Sequence, residues 1–247
     1  MPRTHSARAP RTRDRNVEAS VRAAVIALEE DIVLGILHPR ERLVEDELCA
    51  RFGLKRHVTR MVLMELELQG LVERRKNIGA LVKSYAAQEV IDLYAVREIL
   101  ETNAAKLISM PVADGKLEAL AKIQGVHDAA VKRADLRGVY RANIEFHTAL
   151  FALSENQILN EAIKEYEKRT HAIRFSSIIF PDYLENVRRE HHEMIDALRS
   201  SDRNRLVTLC RNHLKPARDA YLETHHRRLN STEAEVVAKK TKSAVNA

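Results

Sequence analysis

The sequence predicts a mainly α-helical protein: an N-terminal winged helix-turn-helix followed by an all-α antiparallel helical bundle. Three observations predict it. Few glycines and prolines, no Trp and only 4% aromatic residues leave a chain dominated by helix-forming side chains. Beyond Gln88, apolar residues recur at helical spacing, with no convincing strand. Between Leu43 and Val82 the pattern breaks instead into two short helical stretches and a basic-tipped hairpin. At 247 residues the chain suits two modest domains.

Residues 1–16 carry Arg3, Arg8, Arg11, Arg13 and Arg15 among scattered Pro and Thr, and read as a disordered basic tail. Such a tail either trails along DNA phosphates or is simply solvated. Over 17–34, Val21, Ala24, Val25, Leu28, Ile32 and Val33 form one apolar stripe, which Gly35 stops. A short helix follows over 45–52, opened by acids where the helix dipole favours them and closed by Gly53. Val58, Val62, Leu63 and Leu66 predict a second helix ending at Gly70. Residues 71–74 and 78–82 read as two strands joined by Arg75, Lys76 and Asn77. Residues 17–83 therefore have the layout of a winged helix-turn-helix, with 84–88 as a linker.

Over 89–228 six helical segments are expected: about 88–110, 114–132, 135–153, 156–177, 182–200 and 202–226. Asp114, Asp135, Asn156, Asp182 and Asp202 are plausible N-caps, and Pro111 and Pro181 punctuate two breaks. Connections this short favour antiparallel neighbours. Residues 229–247 lose apolar periodicity and read as a second disordered tail.

A helix fits the DNA major groove, and its N-terminal side chains reach the base edges. Here those are Lys55, Arg56, His57, Thr59 and Arg60. Arg56 is the candidate for a bidentate contact to guanine, while Lys55 and Arg60 suit phosphates. Arg74, Arg75, Lys76 and Asn77 form the wing's candidate DNA contacts. The alternative is an ordinary solvated helix start. Charge distribution favours DNA: of the formal +6, residues 1–86 hold 16 Lys/Arg against 12 Asp/Glu, and 55–83 alone hold seven against three.

Ile32, Gly35-Ile36-Leu37-His38-Pro39-Arg40-Glu41-Arg42-Leu43, and Glu45-Asp46-Glu47-Leu48 resemble the opening of the GntR family of bacterial transcription regulators. Gly70-Leu71-Val72 and Gly79-Ala80-Leu81-Val82 match the same family's later landmarks. Where the family usually has Ser-Arg-Thr-Pro-Val-Arg-Glu-Ala-Leu, this chain has Lys55-Arg56-His57-Val58-Thr59-Arg60-Met61-Val62-Leu63. Both arginines stay in register. Lys55 replaces the capping hydroxyl and cannot accept a backbone N–H bond.

Three bundle segments carry a histidine where the apolar stripe predicts a core residue. His147 shares a face with Tyr140, Asn143, Leu150 and Phe151; His191 with Leu184, Val187, Met194, Ile195 and Leu198; His213 with Leu206, Leu209, Cys210 and Ala217. His192 is expected to face water with Arg188, Asp196 and Arg199. Converging neutral imidazoles are well satisfied by a divalent cation such as zinc or nickel, and Asn143, one turn from His147, could add an amide oxygen. The alternative is that each histidine bonds separately to a core carboxylate or carbonyl. Arg97 likewise interrupts an apolar stripe of Ile91, Tyr94, Leu100 and Ala104. Its guanidinium either awaits a carboxylate or phosphate, or pairs along the helix with Glu101.

Asn143-Ile144-Glu145-Phe146-His147, Glu190-His191 and Arg211-Asn212-His213-Leu214 resemble the metal-site motifs of the FCD effector domain, found in the FadR-type branch of the GntR family. That family usually has Asp where this chain has Asn143, so a negative charge is missing from the site. Leu93-Tyr94-Ala95-Val96-Arg97 with Leu100-Glu101 is similar to the domain's first-helix motif, whose Arg lines the effector cavity in relatives. The resemblance covers roughly residues 20–225. It implies a small carboxylate effector bridging Arg97 and a metal ion held by Asn143, His147, His191 and His213.

The expected function is a ligand-responsive regulator, a repressor binding a palindromic operator in double-stranded DNA as a homodimer. Two alternatives are a His-rich metalloenzyme with an appended DNA-binding head, and a bundle whose metal is purely structural. No nucleophile motif or spaced general base supports the enzyme. Cys49 and Cys210 read as small apolar residues, not a disulfide. Neither a signal peptide nor a membrane span is visible, so a cytoplasmic location is expected.

Overall fold

The computed structural model describes residues 12–174, 177 and 180–227, with side chains from Asn16 onward. The head opens with α1 (Thr12–Val33), β1 (Arg42–Leu43), α2 (Glu45–Phe52) and α3 (Arg56–Leu68), and ends in β2 (Val72–Arg75) and β3 (Gly79–Val82). The bundle comprises α4 (Ala87–Leu107), α5 (Asp114–Lys132), α6 (Leu136–Ala152), α7 (Gln157–Arg169), α8 (His171–Arg174), α9 (Pro181–Arg199) and α10 (Arg203–His213). A further helical run, α11, covers 215–227. Among the described residues, no helix is long and apolar enough to cross a membrane.

Several boundaries differ from the expectation. The basic tail is helical from Thr12, and its first eleven residues, like 228–247, lie outside the described ones. β1 was not anticipated, since two residues carry no periodicity; it pairs antiparallel with β3, giving the order β1-β3-β2. The predicted 156–177 helix divides at Thr170, and the predicted 202–226 helix is interrupted at Leu214. Asp135, Asn156 and Asp202 cap as expected, accepting from the N–H groups of Gly138, Leu159 and Arg205. Asp114 and Asp182 instead lie inside the first turns of α5 and α9, behind Ala113 and Phe180.

The linker is not slack. Tyr85 is buried, its N–H donates to the Tyr221 hydroxyl, and that hydroxyl donates back to the Tyr85 carbonyl. The Tyr85 hydroxyl donates to the Gly70 carbonyl, and a Cβ on Gly70 (φ +75°) would sit 2.9 Å from the Tyr85 hydroxyl oxygen. One core accordingly runs from α1 and α3 through Tyr85 and Tyr94 to Ala172, Ile173 and Tyr221. A second core, around Phe146, Leu150, Met194 and Leu206, holds the bundle.

Charge also ties head to bundle. Glu30 and Asp31 of α1 are buried, and Arg137 of α6 bridges them at 3.0 and 2.8 Å. Arg141 adds a second contact to Glu30 (2.5 Å) and Arg51 one to Asp31 (2.5 Å). Beside them, Glu29 meets both the Tyr140 hydroxyl (2.6 Å) and His171 Nδ1 (2.5 Å). Burial alone would raise the Glu29 pKa, but the bond and charge of His171 outweigh it and hold the carboxyl below its ordinary 4.5.

Candidate nucleic-acid interface and metal centre

Gly53 turns α2 into α3 in the left-handed region (φ +64°), and Lys55 occupies the N-cap with no side-chain hydrogen bond, as its chemistry requires. Lys55, Arg56, His57 and Arg60 are exposed on one side of the head. Arg56 grips Asp46 of α2 through Nε and Nη2 (3.1 and 2.7 Å), and Arg60 Nε donates to both Glu45 carboxylate oxygens (3.1 and 3.0 Å). Bonding and charge from Asp46 hold the Arg56 guanidinium above its usual pKa.

Thr59 is a correction. It is 1% exposed, and its hydroxyl lies 3.2 Å from Cys49 Sγ, so it fastens α3 to α2 and does not face DNA. Helical geometry explains this: Thr59 follows the buried Val58 and lies one turn before Val62 and Leu63 on the inward face. Arg74, Arg75, Lys76 and Asn77 are exposed at the wing, with Arg74 on Glu67 and Arg75 on Glu73. Arg42 joins them unforeseen. β1–β3 pairing sets it on one groove of about 380 Å³ with Arg56, Arg60, Arg74 and Arg75. Only the strand pairing reveals that convergence.

In the bundle, α6, α9 and α10 bring His147, His191 and His213 together, with one nitrogen from each inside a 4.8 Å span. His147 Nε2 and His213 Nε2 are 3.1 Å apart. His213 Nδ1 rests on Glu190 Oε2 (2.5 Å), and His191 Nδ1 on Gln124 Oε1 (2.9 Å). Those partners orient the imidazoles and leave His191 Nε2 free of any protein bond; His147 Nδ1 and Asn143 Nδ2 are buried without partners too. Burial first, and neighbouring imidazoles second, push the His147 and His191 pKa values well below the usual range. Both rings are therefore neutral at physiological pH, with lone pairs to offer. Unpartnered imidazole nitrogens, neutrality and mutual reach together fit a divalent cation.

Asn143 is buried one turn before His147 and borders a small cavity with Arg174 and Val187. His192 does not simply face water; Nε2 bonds Asp128 at 2.9 Å. Arg97 takes the intrahelical alternative. Nε and Nη2 reach Glu101 Oε1 (2.8 and 2.7 Å), and Nη1 donates to Thr170 Oγ1 (2.9 Å). Burial works against that charge, but Glu101 outweighs it and holds the Arg97 pKa above its ordinary value. Gln124, His127 and Glu190 were missed as site residues. His127 is buried with its ring centroid 5.1 Å from His191, and burial lowers its pKa to about 4. The signal existed: Leu117, Leu120, Gln124, His127 and Ala130 share one stripe of α5.

Comparison with known proteins follows the same division. Residues 21–82 match the model of bacterial regulatory proteins, gntR family, and residues 92–216 match the FCD domain. The chain belongs to the GntR family and carries an FCD domain. It is thus a DNA-binding regulator of transcription, and the metalloenzyme alternative is set aside. The uncharacterized HTH-type transcriptional regulator YdhC of Bacillus subtilis is 25% identical over 177 residues, 71% of this chain and 79% of that one. The HTH-type transcriptional repressor RspR of Escherichia coli is 22% identical over 188 residues, 76% and 82% respectively. Among solved structures, E. coli McbR/YncC superposes with a TM-score of 0.71 at 18% identity, covering 83% of this chain and 98% of that chain. A GntR protein of Rhodococcus sp. RHA1 gives 0.70 at 24%, with the same coverage. These likenesses establish the shared fold of the GntR protein.

Proposed function

We propose that this GntR regulator is a cytoplasmic repressor that binds a palindromic operator as a homodimer and is released by a small carboxylate sensed beside a metal ion in its FCD domain. RspR is named a repressor, which supports that sign of regulation. The observation that carries the reading is helix α6. Its C-terminal half presents His147 to the histidine cluster, while Tyr140, Arg137 and Arg141 grip Glu29, Glu30 and Asp31 of the head.

Zinc or nickel on His147, His191 and His213 would supply a Lewis-acid anchor for the effector's carboxylate. Glu190 and Gln124 hold two of the imidazoles in place, and Asn143 offers a neutral amide where the family usually has a carboxylate. Arg97 is the effector's second anchor: Nε and Nη2 stay on the buried Glu101, and Nη1, held only by the neutral Thr170 hydroxyl, turns to the incoming carboxylate. Any occupant that displaces α6 also shifts Arg137 and Arg141, and with them the placement of α1 and α3. Effector and operator then bind with a reciprocal coupling energy.

At the operator, Lys55, Arg56, His57 and Arg60 enter the major groove, and Arg74, Arg75, Lys76 and Asn77 contact the flanking backbone. Selecting duplexes from a random pool should return an inverted repeat, with light scattering giving two chains per duplex. Arg56→Ala should lose at least tenfold in affinity for that duplex. Zinc should raise the melting temperature of the unsubstituted chain and not of His147→Ala. A selected site without symmetry would overturn the dimeric reading. A zinc effect with no carboxylate response would leave the metal structural.

A further inference from the structure

Head and bundle do not close on each other completely. Between α1 and α3 on one side and α6, α7 and α8 on the other lies a cleft of about 600 Å³, the size of a small-molecule site. Val21, Val25, Ile26, Met61 and Ile144 make its walls apolar. Ile26 and Met61 are 44% and 40% exposed, although the opposite faces of their helices are core.

Two residues lining this cleft each carry a buried polar atom without a partner. His171 gives Nδ1 to Glu29 and Tyr140, and its Nε2 has no bond; Gln69 Oε1 is likewise orphaned. Buried polar atoms are nearly always satisfied, so two orphans on one cavity mark a place for ligand atoms. Charge at the mouth is mixed, with Glu18, Glu29, Glu65 and Glu167 facing Arg22, Lys164 and Lys168, and the pairing within it is incomplete. Glu29, Glu65 and Glu167 are engaged by His171, Gln69 and Arg174. Among the described residues, Arg22, Lys164 and Lys168 at the same cleft make no ion pair, although Lys168 acts on Glu29 through space; Glu18 makes none either, and Glu65 has only the neutral Gln69 amide.

We propose that this cleft is a second ligand site, separate from the histidine cluster, and that it takes an amphipathic organic anion. An aromatic or branched apolar body lies on Val25, Ile26, Met61 and Ile144. A polar edge bonds His171 Nε2 and Gln69 Oε1, and the anionic group sits among Arg22, Lys164 and Lys168. Met61 directly follows Arg60 on the reading helix, so an occupant touches the DNA-binding element itself. Binding here and binding of operator are therefore linked, whatever the histidine cluster holds.

The chain has no Trp, so Met61→Trp places a sole indole at the cleft. The probe is 8-anilinonaphthalene-1-sulfonate, an amphipathic organic anion, with its own emission followed in parallel on the unsubstituted chain. One dye per chain is expected, with saturable quenching of the indole. Lys164→Glu with Lys168→Glu, both exposed, should weaken binding at least tenfold, whereas His147→Ala should change it less than twofold. The proposal is overturned if quenching does not saturate, if the lysine reversals leave dye affinity within twofold, or if His147→Ala abolishes binding. Exclusion of the dye because a second copy covers the cleft also overturns it.

Discussion

Two sets of arginine–carboxylate pairs, one at the reading head and one at the junction, differ in burial. At the reading head, both partners of Arg56–Asp46 and Arg60–Glu45 are in water. At the junction of head and bundle, Arg137 and Arg141 reach in from the surface to Glu30 and Asp31, whose side chains are 3% and 2% exposed. A guanidinium in water exchanges a carboxylate for a phosphate at little cost, so pairing with Asp46 and Glu45 does not bar Arg56 and Arg60 from the DNA contacts proposed for them. A carboxylate held out of water cannot shed its partner so easily. The head's pairs are replaceable contacts, and the junction's are struts.

The largest effect should come from removing the struts. Arg137→Ala with Arg141→Ala strips Glu30 of both arginines and should cost on the order of 2–4 kcal/mol in urea unfolding. A loss no greater than that of an exposed pair would erase the distinction between the regions.

Acid should break the junction next. Because the folded Glu29 pKa is below its unfolded 4.5, its contribution is complete above about pH 4.5 and is lost as pH falls through the folded value. Glu29→Gln should flatten that part of the stability–pH curve, read from unfolding midpoints between pH 3 and 6.

Within the head, Thr59→Val should cost about 1 kcal/mol through its lost contact with Cys49 and leave operator affinity nearly unchanged. An affinity loss without destabilisation would return Thr59 to the DNA face. Smallest of all, Asp46→Ala should not shift the melting temperature. It should raise affinity for DNA a few-fold by freeing Arg56, as a binding titration would register.

Much of the candidate site was legible before any coordinates. His147, His191 and His213 each interrupt an apolar stripe, and stripes report which way a side chain points along a helix. Arg56 and Arg60 were legible for the opposite reason: with Lys55 and His57 they crowd charge at a helix start that has no core to enter. Thr59 was misread because a hydroxyl suits either a phosphate or an inward bond, and only the packing of α2 on α3 chooses between them. Arg97 stayed ambiguous because Glu101 sits at i+4 whether or not a ligand intervenes; Thr170, 73 positions away, joins the pair only once α7 packs on α4.

What the amino-acid order determined by itself was local: the helices, the basic wing, the glycine turns and the inward histidines. Each follows from backbone periodicity and side-chain preference within a few residues. Tertiary structure decided which distant groups meet: Arg42 with the wing, Glu190 with His213, Gln124 with His191, and α6 with the acids of α1. Those meetings depend on how whole helices seat against one another. That is a property of packing summed over the whole interior, and no short window of sequence contains it.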